Sequence, residues 1–393
     1  MLSLLPLLFL TPTLLSALTP IPCKTPEACI GGDPSSLHLV QPLDGEDPTP
    51  TLMLAVSGSG AGEAFGVRYL HQDDNDNSES YWVMGPDSYL DPPWSSLYLT
   101  NGNIAFWAPE FVPASEPESE VKMYYSISGV DPSVSSISEF CVGLAYGTVN
   151  SLENITWVDA GQPVVCVSSS QANNGAPHAI DPSVVKSGQS LYLTIGSWSD
   201  YGDGENQGAR GGGIWMTELD PKTGMLKTEV LEECGDSFPN CFNNVDFINA
   251  ANHRGYNTDE GYLDGNSIEA SYIYHHPLTE EYFMFVNWFY CCGGVDSTYQ
   301  IMVGKSLDIE GPYYDKDGIA LVNTSANTTG TTVIPTNTSG FIGPGHAGIY
   351  WEGEEGIFTN HWEASPGNNM LRTLHAWRVR IDEDGWPVLG DIY

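Results

Sequence analysis

"SIEASYIYHH", residues 267–276, is an apolar and aromatic run of the kind that builds a buried strand, yet it carries a carboxylate, Glu269, at its mouth. An acid there is either a frayed strand end in solvent or a group held half-dry in a cleft with a raised pKa. The rest of the chain decides between them. Short β-branched and aromatic runs recur throughout, as in "TLMLAVSG", "VKMYYSIS", "SLYLTIGSW", "EYFMFVNWF" and "GIFTNHW", separated by Gly, Pro, Asn and Asp. Helical periodicity is nearly absent, and the pattern is all-β.

Five segments share one layout: "GGDPSSLHLV" from Gly31, "FWAPEFVP" from Phe106, "AIDPSVVKS" from Ala179, "SIEASYIYHH" itself and "GPGHAGIYW" from Gly343. Each is a short strand that leads through a turn to a stronger apolar strand. With Asp33, Ala108, Asp181, Glu269 and Gly345 taken as equivalent, the units recur at intervals of 75, 73, 88 and 76 residues. The longest interval contains a Gly/Asn/Asp-rich insertion, residues 232–266. Five units of this size predict a five-bladed β-propeller. The innermost strand of each blade would line the central channel, so Asp33, Asp181 and Glu269 would converge on one funnel.

Residues 1–17, within "MLSLLPLLFLTPTLLSALTP", read as a secretory signal, too short and proline-broken to span a bilayer. Residues 18–393 then form a single catalytic propeller domain, secreted and expected to be monomeric. Eight cysteines fit a disulfide framework, and local spacing pairs Cys23 with Cys29, Cys141 with Cys166, Cys234 with Cys241 and the adjacent Cys291 with Cys292. Asn154, Asn323, Asn327 and Asn337 head glycosylation sequons. A net charge of −37, from 50 acidic and 13 basic residues, excludes a nucleic-acid reader and disfavours anionic membranes. A neutral polysaccharide remains a suitable partner.

Several motifs exclude other chemistry. "SGSGAG" at 57–62 lacks the Lys-Ser/Thr of a phosphate loop, and the chain has no G-x-S-x-G elbow, no H-E-x-x-H and no paired C-x-x-C. What the chain does resemble is glycoside hydrolase family 43, and within it the arabinanases. The resemblance rests on "IDPSVVKSGQSLYLTIGSW" with "GGIWMTELDPKTG", on "SIEASYI" with "CCGGVDSTYQIMVGKSLDIEGPYYDKDG", and on "GPGHAGI", "NHW" and "DEDGWPV". It departs from the family at His178, Ser271 and the "HWEA" run at His361, where the family tends to have Asn, Pro and "HYYD".

The resemblance implies an inverting glycosidase acting on α-1,5-linked arabinan. It makes Glu269 the general acid, Asp181 the acid that orients it and tunes its pKa, and Asp33 the general base, with Asp47 as a rival base. An inverting mechanism needs a protonated acid and an ionised base about 6.5–9.5 Å apart, with a water between. The resemblance also implies one structural calcium ion on the axis, held by His346 mostly through waters, and no organic cofactor. Aromatic rings at the predicted mouth, Trp107, Trp198, Trp288 and Phe289, with Ser197 and His361, are the substrate-binding candidates. The rival readings are an exo-acting α-L-arabinofuranosidase or β-xylosidase of the same family, and a non-catalytic glycan-binding propeller.

Overall fold

The computed structural model describes residues 24, 26–43, 50–57, 65–71, 81–88, 90–99, 103–112, 118–130, 137–168, 171, 176–197, 213–235, 248–251, 268–322, 329–338, 340–353, 355–365 and 372–390. These form five antiparallel sheets, each with its strands hydrogen-bonded in sequence order. Blade I holds β1 (His38–Val40), β2 (Thr51–Val56), β3 (Phe65–His71) and β4 (Tyr81–Ser88). Blade II holds β5 (Asn103–Phe111), β6 (Glu120–Val130), β7 (Ile137–Ser151) and β8 (Asn154–Asp159), with β9 (Val165–Val167) added beside β7. Blade III holds β10 (Ser183–Ser187), β11 (Ser190–Ser197), β12 (Gly213–Leu219) and β13 (Ile248–Ala251). Blade IV holds β14 (Ile268–His275), β15 (Tyr282–Trp288), β16 (Gln300–Ser306) and β17 (Thr331–Ile334). Blade V holds β18 (Ile342–Glu352), β19 (Glu355–Ala364), β20 (Thr373–Ile381) and β21 (Pro387–Leu389). The five blades form the expected β-propeller.

The core is divided among the seams between blades, which explains the continuous apolar runs. Successive side chains of a strand point to opposite faces, so a strand buried on both faces needs apolar residues at every position. In β15, Phe283 and Phe285 pack with Ile349, Phe358 and Trp377 of blade V, while Met284 and Val286 pack with Ile214 and Met216 of blade III. In β2, Leu52 and Leu54 meet Ile357 and Leu374 of blade V, whereas Met53 and Ala55 meet Met123 and Ile127 of blade II. A seam of side chains therefore closes the ring between blades V and I, helped by an antiparallel bridge from Ile30 to Thr373. A fully buried aliphatic or aromatic side chain contributes roughly 1.5–3 kcal/mol, so each seam outweighs any single polar contact across it.

Disulfides Cys141–Cys166, which ties β7 to β9, and Cys291–Cys292 are both formed as expected. Cys29 and Cys234 are also disulfide-bonded; their expected partners Cys23 and Cys241 lie outside the described residues. So do residues 1–17, Asn323 and Asn327, whereas Asn154 and Asn337 are exposed. Among the described residues, no helix is long and apolar enough to cross a membrane.

One backbone feature repeats in every blade. Asp33, Ala108, Asp181, Ala270 and His346 have φ of 43°, 46°, 53°, 51° and 52°. Asp33 and Asp181 precede the innermost strand of their blade, whereas Ala108, Ala270 and His346 lie within β5, β14 and β18, where the pairing register slips. Left-handed non-glycine residues are strained and cluster at functional sites. The repeat also corrects the sequence alignment, which is one residue early in the last two blades. Ala270 and His346, rather than Glu269 and Gly345, stand in the places of Asp33 and Asp181, because the turn of each strand entry sets the register and residue type does not.

Candidate active site

A left-handed bend turns its N–H away from the strand ladder, and a side chain from the preceding blade accepts that hydrogen in all five cases, in four of them from at or directly beyond that blade's second strand. Ser57 Oγ accepts from Ala108 N–H (2.9 Å), Ser126 Oγ from Asp181 N–H (2.8 Å), Asn287 Oδ1 from His346 N–H (3.2 Å) and His361 Nδ1 from Asp33 N–H (3.0 Å). Blade IV is the exception. Ala270 N–H donates to Asp181 Oδ2 (3.0 Å), so an acid of blade III fixes the peptide directly after Glu269.

Asp33 sits among cations and donors. Arg372 Nη1 lies 3.1 Å from both its carboxylate oxygens, Ser57 Oγ donates to Oδ2 at 2.7 Å, and His346 Nδ1 is 3.2 Å from Oδ1. Burial alone would raise the Asp33 pKa, but Arg372, His346 and His361 together hold it well below the usual carboxylate range. His346 lies between two acids, with Nε2 3.7 Å from Asp181 Oδ1. Burial disfavours its charged form, yet Asp33 and Asp181 overcome this and push it up to about 9.

Asp181 and Glu269 are both buried. Burial raises Asp181, with His346 opposing and Asp33 reinforcing the rise. Glu269 is raised further, first by burial and then by the charge of Asp181; the hydrogen bond that Tyr299 donates to its Oε1 (2.8 Å) opposes the rise. The site thus combines an ionised carboxylate, Asp33, with a carboxyl that keeps its proton near neutrality, Glu269. Two acids pushed in opposite directions can divide acid and base roles between them.

The other predicted residues fare differently. Trp107 is half-buried against the seam of blades II and III, directly before Ala108, in the place that Glu269 takes in blade IV. Phe289 is half-buried beside the mouth of β15 and has a φ of 73°. Trp288 is not a stacking platform, because it is 2% exposed and packs in the seam of blades III and IV. His361 is also withheld from the cleft, being 1% exposed with Nδ1 taken by Asp33 N–H and Nε2 3.5 Å from Glu363 Oε1. It holds Asp33 in place of a sugar. Ser197 is fully buried and accepts from His178 N–H at 3.3 Å. Trp198 and Asp47 lie outside the described residues.

Sequence reasoning missed Arg372, Tyr299, Glu363, Asn287 and Glu110. Glu110, on the inner strand β5, is buried and accepts from Ser36 N–H (3.0 Å) and Ser36 Oγ; burial pushes it up to about 7 despite those bonds. "FWAPEF" carried the same signal as "SIEASY", an acid in an apolar inner strand. Arg372 could have been sought as one of only 13 basic residues. Nothing in the sequence points to Tyr299.

Asp33, His346 and His361 offer donor atoms within 4.8 Å of one another, the makings of a cation site. Calcium takes six to eight oxygen ligands. Of the three donors, Asp33 is engaged by Arg372 and Ser57 and His361 Nδ1 by a backbone N–H. The side chains alone supply too few oxygens, so an ion here would rest on His346 and water, and no step below passes through it.

The family model described as glycosyl hydrolases family 43 matches residues 93–387. An extracellular endo-α-(1→5)-L-arabinanase of Bacillus subtilis is 28% identical over 292 residues, covering 73% of this chain and 70% of its own. An extracellular exo-α-(1→5)-L-arabinofuranosidase of Cellvibrio japonicus is 25% identical, covering 77% of this chain and 74% of its own. Among solved structures, an exo-1,5-α-L-arabinanase from a bovine ruminal metagenomic library superposes with a TM-score of 0.65 at 24% identity, covering 93% of this chain and 99% of that one. A Cellvibrio cellulosa α-L-arabinanase complexed with arabinohexaose gives 0.62 at 20% identity, covering 92% and 95%. Fold, converging acids and family match agree: this chain is a glycoside hydrolase and belongs to glycosyl hydrolases family 43.

Proposed function

We propose that the chain is a secreted, inverting endo-1,5-α-L-arabinanase. The observation that carries this reading is the contrast between Asp33, held ionised by Arg372 and His346, and Glu269, held protonated by burial and Asp181. In the proposed reaction Glu269 gives its proton to the leaving glycosidic oxygen. Asp33 takes a proton from the water that attacks the opposite face of the sugar. Asp181 keeps Glu269 protonated and, through Ala270 N–H, fixes the peptide that carries it. Relatives named as acting on α-(1→5)-L-arabinan support the substrate, as does the neighbour solved with arabinohexaose. Relatives named as extracellular support secretion through the N-terminal leader.

Linear debranched arabinan, with products resolved over time by chromatography, tests the reading. A ladder of oligomers supports endo cutting. One small product from the first time point means an exo enzyme, and no product on any pentosan defeats the enzyme assignment. Proton NMR of the first product reads inversion directly, because the newly formed anomer must be opposite in configuration to the linkage cut. The axial calcium ion is tested by chelation: the thermal midpoint should fall and recover when calcium is restored, and an unchanged midpoint removes the ion from the account.

A further inference from the structure

Beside the acids, the turn that leaves β15 carries the disulfide between the adjacent Cys291 and Cys292. This turn is held in detail. Tyr290 N–H donates to Thr298 Oγ1 (3.1 Å), and Tyr290 O accepts from Thr298 N–H (3.0 Å) and Ser297 Oγ (2.9 Å). Cys292 itself is left-handed, with a φ of 67°. A non-glycine residue stays in that region only when its surroundings force it, and such strain concentrates at functional sites.

The bend brings Cys292 to an arginine that the mechanism uses. Arg372 Nη2 donates to Cys292 Sγ at 2.9 Å, while Nη1 lies 3.1 Å from both oxygens of Asp33 and Nε lies 3.3 Å from Glu363 Oε1. Each guanidinium nitrogen therefore has its own partner. A flexible side chain with four torsions is fixed only when its planar head is gripped on every side. Gly32 makes the room, since a Cβ there would lie 2.6 Å from Arg372 Cδ.

We propose that the Cys291–Cys292 disulfide is a positioning element of the active site, seating Arg372 on Asp33 and making that grip sensitive to reduction of this one bond. The inference rests on the reading of Asp33 as the base. A dithiol opens the bond: each sulfur gains one electron and one proton, and the dithiol is oxidised to its cyclic disulfide. The turn then relaxes and Arg372 loses its third partner. Cys292 is exposed, whereas Cys141 and Cys166 are 1% and 2% exposed, so mild reductant reaches the former pair first.

The test compares four proteins on debranched arabinan: wild type, Cys291→Ser with Cys292→Ser, Arg372→Lys, and the three changes combined. The double-serine variant should lose about tenfold in kcat with little change in thermal midpoint, and should lose the sensitivity of wild type to dithiol. Added to Arg372→Lys, the serine changes should cost nothing further, because both act through one contact. Full activity of the double-serine variant, or losses that add, would overturn the proposal. A crystal structure of that variant reads the same claim without turnover: a guanidinium displaced from Asp33 supports it, and one that has not moved refutes it. Wild type inert on every pentosan would defeat the arabinanase reading instead, and the position of Arg372 would still decide this one.

Discussion

Blades III and IV use the same left-handed bend in opposite ways. In blade III the bent residue is itself the acid, Asp181, with its N–H bound to Ser126 and its short side chain committed to Ala270 N–H and to the neighbourhood of His346. In blade IV the bent residue is Ala270, whose methyl group has no chemistry, and the acid sits one residue earlier on a longer side chain that, among the described residues, accepts from Tyr299. The first arrangement immobilises a carboxylate. The second leaves a carboxyl buried beside the charge of Asp181, and burial first and that charge second are what keep its proton on.

The largest test of this contrast removes the proton donor. Glu269→Gln keeps shape and burial, so the protein should fold normally and lose about 10²–10⁴-fold in kcat on arabinan. Asp181→Asn should be milder, on the order of 10–10²-fold, since the amide oxygen can still accept from Ala270 N–H. Loss of the Asp181 charge lowers the Glu269 pKa, so the alkaline limb of the pH–rate profile should move to lower pH. Ser126→Ala leaves the buried Asp181 N–H without its acceptor and should destabilise by about 1–3 kcal/mol, read from denaturant unfolding. If that variant is as stable as wild type, the bend does not depend on its latch. Tyr299→Phe should give the smallest effect and the opposite sign to Asp181→Asn. Without the donated hydrogen bond the Glu269 pKa rises, and the alkaline limb should move to higher pH.

The blades were legible in the sequence because each seam demands apolar residues on both faces of a strand, and runs such as "EYFMFVNWF" record that demand directly. The convergence of Asp33, Asp181 and Glu269 was legible for a related reason, as a fivefold repeat brings equivalent positions to one axis. The one-residue slip at Ala270 and His346 was not. A bulge shifts the backbone without altering composition, and "EAS" and "GHA" carry no mark of which residue bends. The surroundings of the acids were also hidden. Arg372 reaches Asp33 from 339 residues away and Tyr299 reaches Glu269 from just before the third strand of its blade, and neither contact has a local pattern. Trp288 and His361 mislead in the opposite direction. Their position beside strand ends suggested the cleft, but in a propeller the same strand ends also feed the seams and the latches.

The central claim is that Glu269 carries the catalytic proton, and the pH dependence of kcat/KM for wild type and Glu269→Gln on debranched arabinan tests it most directly. The account predicts a wild-type profile that falls on its alkaline side as Glu269 ionises, and a residual Gln activity from which that limb has disappeared. A Gln variant that keeps the limb, or keeps near-full activity, would contradict it and return Glu269 to the status of a buried strand-end acid.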